Sequence, residues 1–315
     1  MATLLLTHPS FIAHDTGPGH PERPDRMRAI DKVLSHEIFN DLKREEAPLR
    51  EDVEEQILLA HPEGHLAGMR GIAEGALKSP RHIDGDTIVS AGTWEAALRA
   101  VGAGLAAVDA VMAGKAANAF CQVRPPGHHA EANRAMGFCL FSNAAIAGLY
   151  ARKKHGAERI AVVDFDVHHG NGTQDIFWAD KDLFYGSTHE MPLFPGTGDV
   201  SETGVGRNIT NAPLRAGDGG ERFREAFESR ILPAVRNFGP DIVIISAGFD
   251  AHLADPLANL RLVEADYLWA TEKLAGVAKR HCNGRIVSML EGGYDLTALA
   301  RSVAVHVKAL MDAGV

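Results

Sequence analysis

Short runs of consecutive apolar residues alternate along this chain with longer stretches in which apolar residues recur every third or fourth position. The short runs predict strands at 4–7, 119–123, 160–165, 183–187, 208–211, 241–247 and 285–290. Ile242-Val243-Ile244-Ile245 is apolar without a break, the mark of a strand covered on both faces in a parallel sheet. The longer stretches predict helices. Thr93 is placed to cap one whose stripe is Trp94, Leu98, Val101, Leu105, Val108 and Met112. A second covers 143–155, with Gly156 as its stop. A third, over 221–238, carries Phe223, Phe227, Ile231 and Val235, and Pro233 is expected to bend it. Strand-helix alternation of this kind gives right-handed crossovers and an α/β fold. No repeat, low-complexity tract or linker interrupts it, so one domain over 1–315 is expected.

Polar, glycine-rich loops separate these elements at 14–25, 122–138, 166–173, 189–206, 248–256 and 291–296. Four of them directly follow predicted strands. Ligands of open parallel sheets bind beyond the carboxyl ends of the strands, so a site built from these loops is expected.

Composition narrows the reading. Lys plus Arg number 32 against 41 Asp plus Glu, a net charge of −9. That argues against direct nucleic-acid binding, which needs clustered cations. It leaves room for a cationic partner at acidic rim groups such as Asp84, Asp86 and Glu131. Cys121, Cys139 and Cys282 have no regular spacing and suggest neither a disulfide framework nor a cysteine zinc site. No apolar run reaches the ~20 residues of a membrane span. The first residues lack the basic start of a secretory signal, so a cytoplasmic location is expected. The 16 histidines are the unusual count, and their positions decide what they mean.

Val163-Asp164-Phe165-Asp166-Val167-His168-His169-Gly170-Asn171-Gly172 carries the strongest local signal. Strand alternation would put Asp164, Asp166 and His168 on one face. Two carboxylates and an imidazole in a buried strand end are costly unless a cation compensates them. Ser246-Ala247-Gly248-Phe249-Asp250 adds a third candidate ligand after another apolar strand. Asp166, His168 and Asp250, with one position open, form the pattern of a catalytic zinc site. Such a metal polarises a carbonyl and acidifies water. In Arg124-Pro125-Pro126-Gly127-His128-His129-Ala130 the adjacent side chains diverge, which suits proton transfer more than metal binding. In Glu291-Gly292-Gly293-Tyr294-Asp295 the glycines let the backbone bend and bring Tyr294 inward, where a phenol can donate to a developing oxyanion.

Taken in order, these motifs resemble the zinc-dependent histone deacetylases of the arginase/deacetylase fold, closer to the class II-like bacterial amidohydrolases. The matching stretches are 19–26 (GHPERPDR), 124–130 (RPPGHHA), 137–143 (GFCLFSN), 164–172 (DFDVHHGNG), 195–199 (PGTGD), 246–252 (SAGFDAH) and 291–295 (EGGYD), spread over nearly the whole chain. The resemblance implies a three-layer αβα domain with a mostly parallel sheet of about eight strands. It implies one Zn²⁺ on Asp166, His168 and Asp250, with Fe²⁺ as the alternative metal. Tyr294 would polarise the acyl carbonyl with the metal, and His128 and His129 would be the tandem histidines. Gly137, Phe138, Phe194 and Gly292 would line the acyl-lysine tunnel, and Arg26 an internal cavity behind it. Asp164, Asp166, His168, Ser187 and Thr188 fall where the family holds a structural K⁺. Asp164 would pair with His128 and keep it charged. Asn171 would orient His129 without raising its pKa as a carboxylate does, leaving it fit as general base and then general acid.

The substrate expected is a linear acyl amide of a lysine-like amine, such as an acetylated lysine in a peptide or protein or another small acylated amine. The alternatives are an acetylpolyamine, for which a homo-oligomer that narrows the entrance is expected, and, more remotely, a non-catalytic acetyl-lysine reader. A binuclear manganese ureohydrolase would need further Asp and His ligands. His8, His36, His82, His155, His281 and His306 lie outside every motif and read as surface or structural groups. His14, His20, His61, His65, His189 and His252 lie nearer the site loops.

Overall fold

The computed structural model describes residues 1–314. Eight strands form one sheet: β1 (Thr3–Thr7), β2 (Lys43–Glu46), β3 (Asn118–Cys121), β4 (Ile160–Asp164), β5 (Leu183–Glu190), β6 (Ile209–Leu214), β7 (Ile242–Ala247) and β8 (Ile286–Leu290). Their order is β2-β1-β3-β8-β7-β4-β5-β6, and every pairing is parallel. The sheet is therefore wholly rather than mostly parallel. All residues of β4 and β7 are buried, as their unbroken apolar runs require. Seven strands fall where the apolar runs predict them. The eighth, β2, reads Lys-Arg-Glu-Glu and is exposed at every position. It has a neighbour on one side only, and its charges protect an open edge from further pairing.

Two groups of helices flank the sheet. α2 (Thr93–Met112) packs on α3 (Asn143–His155), while α1 (Asp25–Leu34) and α4 (Glu264–His281) both pack on α5 (Leu296–Ala313). Gly156 ends α3 in the left-handed conformation, at φ 69°. Gly92, not Thr93, occupies the cap position of α2; the Thr93 hydroxyl instead accepts the Ser90 N–H at 2.8 Å. The helix over 221–238 is interrupted by a π-turn at Phe227–Ile231, where the Leu232 N–H reaches back to the Phe227 carbonyl. The wider turn lies immediately before Pro233, which has no N–H to give an α-helical ladder. No described helix is long and apolar enough to cross a membrane.

The central strands β3, β8, β7 and β4 end in register. Met289 pairs with Cys121, Leu290 with Ala247, and Asp164 with Ser246. Their four following loops leave from one edge, and these are the loops that carry the RPPGHHA, EGGYD, SAGFDAH and DFDVHHGNG motifs.

Candidate active site

β4 stops at Asp164, so strand alternation does not gather Asp166 and His168 as expected. Two successive side-chain-to-backbone turns do. Asp164 Oδ1 accepts the Asp166 N–H at 3.0 Å, and Asp166 Oδ1 accepts the His168 N–H at 2.9 Å. Asp250, on the loop after β7, accepts the Val167 N–H at 2.9 Å, and Asp166 accepts the Gly292 N–H at 2.8 Å. One ligand atom each from Asp166, His168 and Asp250 lies within 4.8 Å of the others, and all three residues are buried.

These residues suit a divalent metal. His168 Nδ1 stands 3.2 Å from Asp166 Oδ1 and 3.1 Å from Asp250 Oδ2. One ring N–H cannot serve both oxygens well, whereas a cation among them serves all three. Ligands of a tetrahedral zinc at about 2.0–2.1 Å stand roughly 3.3 Å apart. The backbone leaves room for this packing only because it has no side chains there. A Cβ on Gly248 would lie 1.9 Å from Asp166 Oδ2, and one on Gly292 would lie 2.3 Å from Asp250 Oδ2.

The tandem histidines differ in partner. His128 Nδ1 is 3.0 Å from Asp164 Oδ2, which also accepts the Tyr185 hydroxyl at 3.1 Å. Burial opposes charge on His128, but Asp166 and Asp164 outweigh it and push its pKa up to about 10. His129 Nδ1 donates to Asn171 Oδ1 at 2.8 Å. Burial, with His128 and His168 as cationic neighbours, holds its pKa well below the usual imidazole range. At neutral pH one ring is therefore charged and the other neutral.

Tyr294 is buried beside them, with the Arg26 guanidinium 5.1 Å from its ring centroid. Its ring meets Phe138 edge-on at 6.0 Å. Burial and the nearby Asp250 and Asp166 carboxylates keep its phenol protonated. Phe138 has a left-handed φ of 69°, fixed where the Thr87 hydroxyl accepts its N–H at 3.1 Å. Gly137 precedes it because a Cβ would stand 2.5 Å from the His129 ring. Phe194, 43% exposed, meets the His129 ring edge-on at 5.0 Å. Phe138 and Phe194 thus flank the buried histidines and the Asp166–His168–Asp250 cluster.

Several buried groups hold this arrangement, and of these Glu22, Asp255 and Glu291 had no role in the expectations above. Glu291 Oε2 accepts the N–H groups of Gly127 and His128 at 2.7 and 3.2 Å, and Oε1 accepts the Ser246 hydroxyl at 3.1 Å. One carboxylate thereby ties the tandem-histidine loop to the ends of β7 and β8. Arg26 is fully buried and donates to the carbonyls of Glu291 and Gly293 at 2.5 and 2.6 Å. Glu22 pairs with both Arg26 and Arg124. Asp255 accepts the Tyr294 N–H at 2.8 Å. Ser187 lies beside Asp164 in the β4–β5 register, and the buried Thr188 hydroxyl has no hydrogen-bond partner.

Of the histidines near the loops, His20 meets Phe138 edge-on at 4.9 Å and bonds the Asp86 carbonyl at 2.9 Å. His14 lies 3.5 Å from Glu22, and His61 and His65 bond the backbone of the 131–142 segment. His189 bonds Ser187 and His252 approaches Glu264. His306, buried between Thr271 and Ser288, is structural as expected.

The rim acids also separate. Asp84 Oδ1 is occupied by the N–H groups of Thr87 and Asp86 at 2.6 and 3.1 Å, while Asp86 is exposed. Glu131 is not a free rim charge, because its Oε1 accepts the Asn171 amide at 2.8 Å.

The family model described as histone deacetylase domain matches residues 20–310. The chain is 38% identical to the chloroplastic histone deacetylase 14 of Arabidopsis thaliana, over 98% of this chain and 77% of that protein. It is 38% identical to a histone deacetylase-like amidohydrolase of Pseudomonas aeruginosa, over 92% of this chain and 77% of that one. A probable deacetylase of Archaeoglobus fulgidus is 37% identical, over 94% and 82% respectively. The crystal structure of the HDA15 HD domain superposes with a TM-score of 0.92 at 34% identity, covering 99% of this chain and 88% of that one.

Proposed function

The chain belongs to the histone deacetylase family and is a deacetylase-type hydrolytic enzyme; from that premise we propose that it removes the acetyl group from a lysine-like amine with a zinc ion held by Asp166, His168 and Asp250. The buried cluster of these three residues carries the reading. When bound there, zinc polarises the acyl carbonyl and lowers the pKa of a coordinated water toward about 7.

The chain's own groups then divide the work. His129, neutral and with Nδ1 engaged by Asn171, takes a proton through Nε2 and returns it to the departing amine nitrogen. His128 stays charged beside Asp164 and stabilises negative charge that develops nearby. The Tyr294 hydroxyl donates to the carbonyl oxygen. Gly137, Phe138, Phe194 and Gly292 form the channel that admits a linear acyl chain and excludes water. Arg26 braces the turn that carries Tyr294, at the back of the site. A structural K⁺ would sit at Asp164, Asp166, His168, Ser187 and Thr188, where the unpartnered Thr188 oxygen supports a cation.

Side-by-side kcat/KM values for acetyl-lysine peptides and acetylpolyamines on the zinc-loaded enzyme test the substrate. The peptide is expected to be preferred. A polyamine preference would replace this assignment, and an enzyme inert toward both would refute the deacetylase chemistry.

Two further outcomes are expected. Asp86, exposed at the rim while Asp84 is occupied by backbone N–H groups, is the acid proposed to accept a backbone N–H of the substrate, so Asp86→Ala should raise KM for an acetyl-lysine peptide by about 10-fold, the worth of a hydrogen bond to a charged group, with kcat kept. A KM unchanged in that variant would remove Asp86 from substrate binding. Asn171→Asp places a carboxylate against His129 and raises its pKa. The base must be neutral to work, so the acidic limb of the kcat/KM profile should move to higher pH. A superimposable profile would separate Asn171 from the titrating base.

A further inference from the structure

The hydrogen-bond chain behind His129 continues beyond Asn171. We propose that Glu131 sets the tautomer of His129 by fixing which end of the Asn171 side-chain amide faces the ring. This rests on His129 being the proton-transfer group of the proposed reaction.

An amide has a carbonyl at one end and an NH₂ at the other, in nearly the same shape, and a flip exchanges them. Partners therefore decide its orientation. Glu131 Oε1 stands 2.8 Å from Asn171 Nδ2, and a carboxylate only accepts. Met136 Sδ, a weak acceptor, stands 3.4 Å from the same nitrogen. That end must be the NH₂, so Oδ1 faces His129 Nδ1 at 2.8 Å. The proton then resides on Nδ1, and Nε2 keeps the lone pair needed to accept one from water. In the flipped amide an NH₂ would face Nδ1, the ring proton would move to Nε2, and that lone pair would be lost. The flip would also turn a carbonyl oxygen onto the Glu131 carboxylate.

Both ends of this chain are held. Glu131 sits in a turn closed by its own N–H on the Arg134 carbonyl at 2.9 Å. The next residue, Ala132, donates its N–H to Asp175 at 2.9 Å, on the short helix that begins at Asn171. The turn is therefore tied to the helix, with the carboxylate facing the amide. Glu131 is a positioning residue: it reaches the reaction only through Asn171 and His129.

Histidine-selective ¹⁵N NMR of the zinc-loaded enzyme, with His129→Ala to assign the signal, reads the tautomer directly. Wild type is expected to show His129 protonated at Nδ1. Glu131→Ala should move a large fraction to Nε2 and lower kcat by about 10–100-fold, with KM within about twofold. Glu131→Gln, which can still turn an oxygen toward Asn171, should recover most of that loss and covers the case in which the alanine variant folds poorly. In an Asn171→Asp background, where either end of the side chain accepts, Glu131→Ala should cost less than about twofold. An Nδ1–H tautomer unchanged in Glu131→Ala overturns the proposal whatever the rate does. So does an equal loss of kcat in both backgrounds. Failure of the deacetylase reading would show separately, as a wild-type enzyme inert toward acetylated amines.

Discussion

Asp250→Ala is expected to leave a folded protein that binds no catalytic metal and lacks measurable deacetylase activity. Asp250 offers one of the three ligand atoms of the proposed metal site and also accepts the Val167 N–H beside His168. Without it, two protein ligands remain and the second carboxylate that helps neutralise the ion is gone. Metal polarisation is worth several kcal/mol, so kcat/KM should fall by about 10³-fold or more. Unfolding is not the expected cause. Burial, with Asp166 beside it, pushes the Asp250 pKa up to about 7 in the metal-free fold although His168 opposes the shift, so the ionised carboxylate costs stability there and its removal should not unfold the protein. Zinc at about 100 times its Kd should add roughly 2.7 kcal/mol to wild-type stability and raise its Tm by several degrees. Asp250→Ala should show no such rise. Elemental analysis, a zinc titration of Tm and the rate form one test. Full activity in a variant that carries no zinc would remove the metal from the mechanism, and stoichiometric zinc in an inactive variant would give Asp250 some other role.

The two halves of this architecture were unequally legible in the sequence. β4 and β7 could be read because strands buried on both faces must be apolar throughout. The edge strand at Lys43–Glu46 could not, since its pairing is purely backbone and its side chains all face water. The clustering of Asp166, His168 and Asp250 was readable because two carboxylates and an imidazole at strand ends have little structural reason to be there. The reason given for their convergence was incomplete: the loop turns at Asp164 and Asp166, not strand alternation, bring His168 round. The bracing carboxylates were less visible still. Glu291 and the Gly127 N–H it accepts are 164 residues apart, and neither end signals the other. Glu131 looked like a solvated rim charge because a lone glutamate in a polar loop usually is one, yet the turn at 131–134 directs it to Asn171.

His129→Ala is expected to cost about 10²–10⁴-fold in kcat, the range of one general acid–base group. Substrate binding should change little, because the ring's partners are Asn171 and the neighbouring aromatic and histidine rings rather than the rim. The split between kcat and KM is therefore informative: a loss confined to kcat marks an interaction made in the transition state. The pH profile should change with it. In wild type, burial and the charged His128 beside it hold His129 well below the usual imidazole range, so its neutral form is available across neutral pH. The acidic limb reports loss of that form as pH falls through its pKa, and the limb should vanish in the alanine variant. His128→Ala should behave differently. Its charge, favoured by the Asp164 carboxylate 3.0 Å from Nδ1, stabilises rather than shuttles, so the acidic limb should remain while kcat falls. Equal limbs and equal losses in the two variants would mean that the rings share one role. A His129→Ala enzyme turning over at the wild-type rate would shift the proton transfer to another group, and the order of partners along Asp164–His128 and Asn171–His129 would then have no catalytic meaning.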